Sequence, residues 1–247
     1  MTAFGFPPEV HDHQFIVAVL GGFRLSRGMS IVGVPRASQR LLAFLALHGG
    51  LVRRAAVAGT LWPDASEGHA YSNLRAALAR LQSTARRALA ASKVELGLAD
   101  GVTVDIRHSQ ALARRLLDPA VTPDPSELGT ATIAALSAEL LPDWYDDWVL
   151  LEAEDWRQLR LHALETVAGH LTAAGRWGEA AGAAGAAVRG EPLRESGHAA
   201  LIQVYLAEGN QSEAIREFAR YRSLLHAELG LEPTSRLRQL VQDLRNS

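Results

Sequence analysis

Apolar runs with a period of two occur only near the start of the chain. Three short runs, at residues 15–19, 23–25 and 31–34, have this period of two, and every second residue of the first run is Phe or Val. Successive side chains of a strand point to opposite faces, so alternation is typical of a half-buried strand. A Gly-Gly pair separates the first two runs and a proline follows the third. The pattern predicts a small antiparallel sheet.

The pattern then changes to the period of an α-helix in three successive segments. The first, residues 39–47, is followed by a Gly-Gly pair, which is a helix stop signal. The second, residues 54–61, ends before Trp62-Pro63 because proline restricts the residue that precedes it. Ser66 is the predicted N-cap of the third helix, which extends to about Leu89.

A hairpin is predicted after the third helix. The segments Lys93–Leu96 and Val102–Ile106 flank Asp100-Gly101, a dipeptide typical of tight hairpin turns. A sheet, three helices and a terminal hairpin follow one another in the order of a winged helix-turn-helix. We therefore predict a winged helix-turn-helix domain over residues 14–107, preceded by a disordered tail at residues 1–13.

The rest of the chain has no convincing strand pattern. Asp118–Gly129 contains three prolines and is predicted to be a loop. From Ile133 onward the pattern is helical, interrupted by a loop at residues 229–233 before a last amphipathic helix. Gly175–Ala180 recurs as Gly209–Ala214, and this spacing of 34 residues is the tetratricopeptide period.

The expected fold class is therefore mainly α. An N-terminal winged helix-turn-helix with a small antiparallel sheet and a β-hairpin wing precedes an all-α, tetratricopeptide-like (TPR-like) domain over residues 108–247. The composition agrees, since 42 of the 247 residues are Ala, which favours helices. Cysteine is absent, which excludes disulfides and thiol chemistry and indicates a cytoplasmic protein.

The net charge of −2 conceals two halves of opposite sign. Residues 1–108 hold twelve basic and seven acidic residues, whereas residues 109–247 hold thirteen and twenty. A basic half beside an acidic half indicates that one end of the chain binds a polyanion while the other has a different task.

The third predicted helix has one apolar face and one polar, basic face. Small exposed residues allow a helix to enter the major groove of DNA, where Arg side chains bind phosphates and Ser, Asn or Arg contact base edges. An ordinary solvated face is the competing interpretation of this helix taken alone. The candidate DNA-binding residues on it are Ser72, Asn73, Arg75, Ala76, Ala79, Arg80, Ser83, Arg86 and Arg87.

Two further cations flank the predicted hairpin. Lys93 at its start and Arg107 at its end are candidate wing residues for phosphate or minor-groove contact, with plain surface charge as the equal alternative. No catalytic, metal-binding or cofactor-binding constellation is found. Carboxylates and tryptophans at residues 143–156 could indicate a sugar-cleaving site, but one continuous amphipathic segment with inward indoles explains them better.

Several motifs in the basic half resemble the DNA-binding half of the actinomycete antibiotic regulatory proteins, the SARP family. These motifs are Pro35 with Gln39–His48, Leu61–Asp64 and Ser72–Leu81. Four motifs of the acidic half resemble the bacterial transcriptional activator domain (BTAD) of that family, namely residues 143–152, 175–180, 192–195 and 228–233. The resemblance covers about residues 14 to 245.

The resemblance implies an activator of secondary-metabolite genes that binds tandem direct repeats in promoter DNA and contacts RNA polymerase. We expect the helical half either to recruit polymerase or to self-associate on those repeats. No enzymatic activity, cofactor or membrane partner is expected, because the sequence has no catalytic or cofactor-binding constellation and no apolar stretch of membrane-spanning length. The second helix departs from the family pattern, because Val52–Ala55 offers no Ser or Thr cap, and the first begins with few cations at Arg36–Ser38.

A second hypothesis is a TPR-type interaction module whose winged helix no longer binds DNA. Because the charge changes sign near Arg107 and the strand patterns end there, we expect residues 1–108 to fold alone and to bind DNA without activating transcription.

Overall fold

The computed structural model describes residues 14–242, so the predicted tail at residues 1–13 lies outside the described residues. In this part of the chain the strands are β1 Phe15–Ala18, β2 Arg24–Arg27, β3 Ser30–Ile31, β4 Val52–Arg53, β5 Leu89–Ala91, β6 Glu95–Leu98 and β7 Thr103–Val104. The helices are α1 Arg36–His48, α2 Arg54–Leu61, α3 Glu67–Ala79, α4 Ser83–Arg86, α5 Asp105–Leu116, α6 Thr130–Ser137, α7 Asp147–Ala173, α8 Trp177–Gly190, α9 Glu195–Glu208, α10 Gln211–Leu229 and α11 Ser235–Gln242.

Contacts divide the described residues into two compact units. The winged-helix unit comprises residues 14–108 and 139–156, and the helical unit comprises residues 109–138 and 157–242. The chain passes from one unit to the other within α5 and α7 and between residues 138 and 139. Residues 139–156 thus belong with the winged helix, although the charge pattern grouped them with the helices.

The predicted antiparallel sheet is present, with one addition. Its strand order is β3-β2-β1-β7, in which β1 pairs antiparallel with β2 and β2 with β3. The fourth strand, β7, pairs in parallel with β1, with Val17 opposite Val104. All four residues of β1, which lies between β2 and β7, are buried.

The wing hairpin forms from different strands than predicted. β5 and β6 are its arms, with Ala90 opposite Gly97, and β4 pairs on the other side of β6. The side chain of Ser92 closes the turn, because its Oγ accepts the backbone N–H groups of Val94 at 3.1 Å and Glu95 at 2.9 Å. The Asp100-Gly101 turn instead links β6 to β7, so the predicted pairing of Lys93–Leu96 with Val102–Ile106 is wrong.

The helix-turn-helix is formed by α2 and α3, packed on α1. Its core contains Phe44 and Leu45 of α1, Leu61 of α2, Leu74 of α3 and Leu96 of β6. The predicted bounds of the second helix are confirmed at both ends. As the sequence predicted, α2 has no side-chain cap. Instead, the backbone N–H of its first residue, Arg54, donates to the carbonyl of Val94 in the wing at 2.8 Å.

The third helix is shorter than predicted. It ends at Ala79 rather than near Leu89, and a separate turn of helix, α4, follows. No Gly or Pro marks this break. Arg86 folds back and its Nη2 donates to the carbonyls of Leu78 at 3.1 Å and Ala79 at 3.4 Å, which satisfies the free end of α3.

The helical unit has the predicted 34-residue repeat. Helices α8 and α10 begin at equivalent positions, residues 177 and 211. Each follows a glycine with positive φ, Gly175 at 71° and Gly209 at 85°, a backbone conformation that favours glycine. The prediction of continuous helix from Ile133 was wrong at residues 138–146, which are not helical.

Asp105 connects the end of β1 to the start of α5. Its carboxylate accepts the backbone N–H groups of Val19 at 2.9 Å, Leu20 at 3.0 Å and Ile106 at 2.7 Å. Burial raises the pKa of Asp105, and these amide donors oppose that rise only in part.

Replacing Asp105 by Ala should lower the free energy of unfolding by about 2–4 kcal/mol, because it leaves shielded N–H groups unpaired. Asp105→Asn keeps one acceptor oxygen and has no charge to desolvate, so its free energy of unfolding should fall by less. Chemical denaturation of both variants measures the difference, and equal stability of Asp105→Ala and the parent chain would contradict this role.

Candidate nucleic-acid interface

Helix α3 packs on the core with one face and exposes the opposite face to solvent. Its residues Ala70, Leu74 and Ala77 are buried against the core. Ser38 of α1, itself buried, donates its hydroxyl hydrogen to the carbonyl of Ala77 at 2.7 Å. These contacts hold the helix in one rotation about its axis, so the opposite face is presented to solvent as a defined surface.

The six candidate residues within or next to α3 lie on that opposite face. All are exposed apart from Ala76, which is half-buried, and they are Ser72, Asn73, Arg75, Ala76, Ala79 and Arg80. Arg75 donates from Nη2 to Ser72 Oγ at 2.9 Å, and Ser72 donates in turn to the carbonyl of Gly68 at 3.0 Å. The Arg75 guanidinium is therefore directed toward the N-terminal half of the helix.

Two residues of the first turn, Gly68 and His69, were missed by the sequence analysis. Both are exposed, and at 100° per residue they share the face of Ser72 and Ala76. Recognition helices contact bases mainly with their N-terminal residues, so this turn is added to the candidate interface. The signal was present in the sequence, because His69 precedes Ser72 by three residues and so lies on the same face of the helix.

The break after α3 separates three candidates from the rest. Ser83, Arg86 and Arg87 are exposed but lie on or just after α4. The Arg86 side chain is committed to the end of α3. Even so, residues 67–94 hold five basic residues and one acidic residue, Glu67, so this part of the winged-helix unit has a strong positive excess.

Lys93 lies at the tip of the wing and is exposed. Its neighbour Ser92 accepts a hydrogen bond from Arg54 Nε at 2.9 Å through the main-chain carbonyl. This bond ties the wing turn to the start of α2, beside the exposed Arg53. Arg53 and Arg54 are therefore additional candidate cations beside the wing turn, at a position that the sequence indicated only as a helix start without a cap.

Arg107 is not part of the wing. It belongs to α5, and its guanidinium donates to the carbonyl of Ala46 at 2.9 Å from Nη2 and 3.2 Å from Nε. The last carbonyls of a helix lack partners within the helix, so this cation stabilises the C-terminus of α1. Arg107 has a structural contact that explains its charge.

Two alanine variants should separate these roles. Arg107→Ala should lower the unfolding free energy by about 1–2 kcal/mol, because it removes charged hydrogen bonds, and should leave affinity for DNA within about twofold. Lys93→Ala should leave stability unchanged and weaken DNA binding. Thermal melting and a binding titration of both variants check this. If Arg107→Ala loses affinity for DNA without losing stability, Arg107 contacts DNA after all.

Residues 143–156, considered above for sugar cleavage, do not form one helical segment. Asp143 and Asp146 precede α7, and Asp146 pairs with Arg40 of α1. Among the described residues, no group of three or more His, Asp or Glu could hold a metal ion. None of the helices in residues 14–242 has the length and hydrophobicity needed to cross a membrane.

Comparison with known proteins gives a family and a fold. The family model described as bacterial transcriptional activator domain matches residues 104–245. Mycobacterium tuberculosis EmbR, solved in complex with a low affinity phosphopeptide, is similar to this chain with a TM-score of 0.67 and 24% sequence identity. The match covers 95% of this chain and 66% of the EmbR chain, so this chain spans just under two thirds of that protein. A search of curated proteins found no match.

Proposed function

This chain belongs to the bacterial transcriptional activator domain family, and we propose that it binds promoter direct repeats through its winged helix and recruits RNA polymerase. The family match spans residues 104–245 and confirms the resemblance that the motifs of this half indicated. The family match and the motifs of the basic half support a transcriptional activator of the SARP type. Secondary-metabolite genes as targets, a cytoplasmic location and the lack of enzymatic activity are parts of the proposal.

The exposed face of α3 is the observation that carries DNA binding. A helix whose outward residues are small, polar and basic can approach the floor of the major groove, which bulky side chains would prevent. Its inward residues Leu74 and Ala77 are buried, so DNA cannot be contacted with the other face. Exposed cations at Arg75, Arg80 and Lys93 supply the attraction to phosphate that such a complex needs.

Salt dependence tests this proposal directly. If about four to six phosphates are neutralised by each protomer, log K should fall against log salt concentration with a slope of about −4 to −5. Fluorescence anisotropy with a labelled promoter fragment at several salt concentrations measures the slope. A flat response would contradict DNA binding by this surface.

The alternative function, a TPR-type interaction module without DNA binding, has one observation in its favour. Two of the candidate cations, Arg86 and Arg107, have main-chain carbonyls as partners, which gives their charges a structural explanation. A gel-shift assay with DNA from upstream of neighbouring genes distinguishes the two functions. A specific shifted band supports the activator, and no band at low salt supports the interaction module.

A further inference from the structure

Residues 139–156, here called the acidic segment, contain seven carboxylates and no basic residue. The segment is held on the winged-helix unit by specific contacts. Leu140 forms a β-bridge with Leu20, and Trp148 packs its ring edge-on against Phe44 with centroids 5.5 Å apart. Arg40 pairs with Asp146 and also donates to the carbonyl of Leu61 at 2.9 Å. The backbone of the segment is therefore fixed.

The first turns of α7 present a face that is both apolar and acidic. Leu151 is 73% exposed and Leu150 is 49% exposed, although other residues of the same segment are buried. Asp147 and Asp155 lie four residues before and after Leu151 and share its side of the helix. We call these four residues, with the 81% exposed Tyr145, the outward face.

The carboxylates of this face lack ion-pair partners within the described part of the chain. Asp147 and Asp155, and also Asp143 and Glu152, form no ion pair among residues 14–242, in contrast to Asp146. Exposing the two leucines and the tyrosine to water is unfavourable, whereas carboxylates are well solvated there. Together they form the composition of an interface that selects a basic partner.

A cleft of about 670 Å³ adjoins the outward face. Its walls include the rings of Trp62, Tyr145 and Trp148 and the carboxylates of Asp64 and Asp147. The one guanidinium among its lining residues, that of Arg40, is already paired with Asp146. Aromatic rings together with unpaired carboxylates attract a cation, so the cleft can accept an Arg or Lys side chain from a partner.

We propose that the outward face and its cleft bind a basic, partly aliphatic surface of RNA polymerase. The inference rests on the proposed function, because it assigns the polymerase contact to particular residues. It places that contact on the winged-helix unit rather than on the repeat helices. DNA is excluded as the occupant, since the carboxylates would repel its phosphates.

The test is capture of purified bacterial RNA polymerase holoenzyme by the immobilised full-length chain in the absence of DNA. The double variant Asp147→Lys with Asp155→Lys should weaken capture at least tenfold, and Leu151→Ser should weaken it severalfold without any change of charge. The matched control is Glu208→Lys with Glu228→Lys, which has the same charge change at exposed positions of the helical unit. It should capture polymerase like the parent chain. Thermal melting confirms that the variants are folded.

Equal capture by both double variants would overturn the proposal, and so would failure of the parent chain to capture polymerase. Because DNA is absent, a failure of promoter binding in a separate gel shift would count against the proposed function and not against this surface. A photo-crosslinking residue at position 151 identifies the partner surface. Crosslinks to a segment rich in Lys and Arg support the proposal, whereas crosslinks to an acidic segment or to a second copy of this chain contradict it.

Discussion

Alanine at Arg75 is expected to weaken promoter binding by about 1–3 kcal/mol and to relax sequence preference at one base pair. Arg75 is exposed on α3, and its guanidinium is directed toward the N-terminal half of the helix by its bond to Ser72. That half is the part of a recognition helix that reaches base edges. An Arg that binds guanine there donates two hydrogen bonds, to O6 and N7, and no other base presents these two acceptors together in the major groove.

Arg80 should respond differently because it lies at the C-terminal end of α3. At that end a phosphate is the expected partner, so Arg80→Ala should weaken all sequences alike and reduce the salt slope by about one. The control is Arg222→Ala, which removes an exposed arginine of the helical unit and should change neither affinity nor slope. If neither Arg75→Ala nor Arg80→Ala alters binding while circular dichroism is unchanged, α3 is not the recognition helix.

The elements of the winged helix could be predicted where local signals agree. The bounds of α2 follow from its apolar period and the Trp-Pro stop. The order of strands and helices and the exposed face of α3 follow from periodicity, because the side-chain periods of strands and helices differ. The 34-residue repeat was visible because both copies carry the same glycine turn at Gly175 and Gly209.

The errors occurred where a distant or later residue supplies the deciding contact. Helix α3 ends without a stop signal because Arg86, several residues beyond it, satisfies its last carbonyls. The hairpin turn forms at Ser92 and not at Asp100-Gly101, since β7 finds a parallel partner in β1, more than 80 residues earlier. Local propensity cannot predict which of two possible turns closes a hairpin when the outcome depends on which strands pair with each other.

The same limit applies to the candidate interface. Periodicity identifies which cations are exposed, but not which of them have main-chain partners. Arg107 contacts the carbonyl of Ala46, 61 residues away, and this bond depends on how α5 follows β7. Charge alone therefore cannot distinguish Arg54, Arg86 and Arg107, whose guanidinium groups donate to main-chain carbonyls, from the exposed Lys93 at the tip of the wing.

The position of the acidic segment changes what is expected of a truncated chain. The charge pattern predicts that residues 1–108 fold alone, but the winged-helix unit also contains residues 139–156. Trp148 packs against the core cluster that contains Phe44 and Leu74, and Asp146 neutralises Arg40. A fragment that ends at residue 108 exposes this part of the core and leaves Arg40 without its carboxylate.

We expect the fragment 1–108 to be less stable than the same unit in the full chain by at least about 3 kcal/mol, because a large aromatic contact and an ion pair are lost together. Promoter binding by the fragment should fall with its folded fraction. Thermal melting of the fragment alone, followed by footprinting on promoter DNA, measures both losses.

A synthetic peptide of residues 139–156 should restore the fragment in trans. Because the peptide supplies Leu140 for the bridge to Leu20 and Trp148 for the contact with Phe44, it should raise the melting temperature in a concentration-dependent way. The same peptide with Trp148→Ala should restore little, since the aromatic packing is its largest apolar contribution to the core cluster. If the fragment 1–108 melts at the temperature of the winged-helix unit in the full chain and ignores the peptide, the acidic segment contributes nothing to the fold of the DNA-binding unit. Its carboxylates would then be free to move relative to α3, and a fixed outward face for polymerase would have no structural basis.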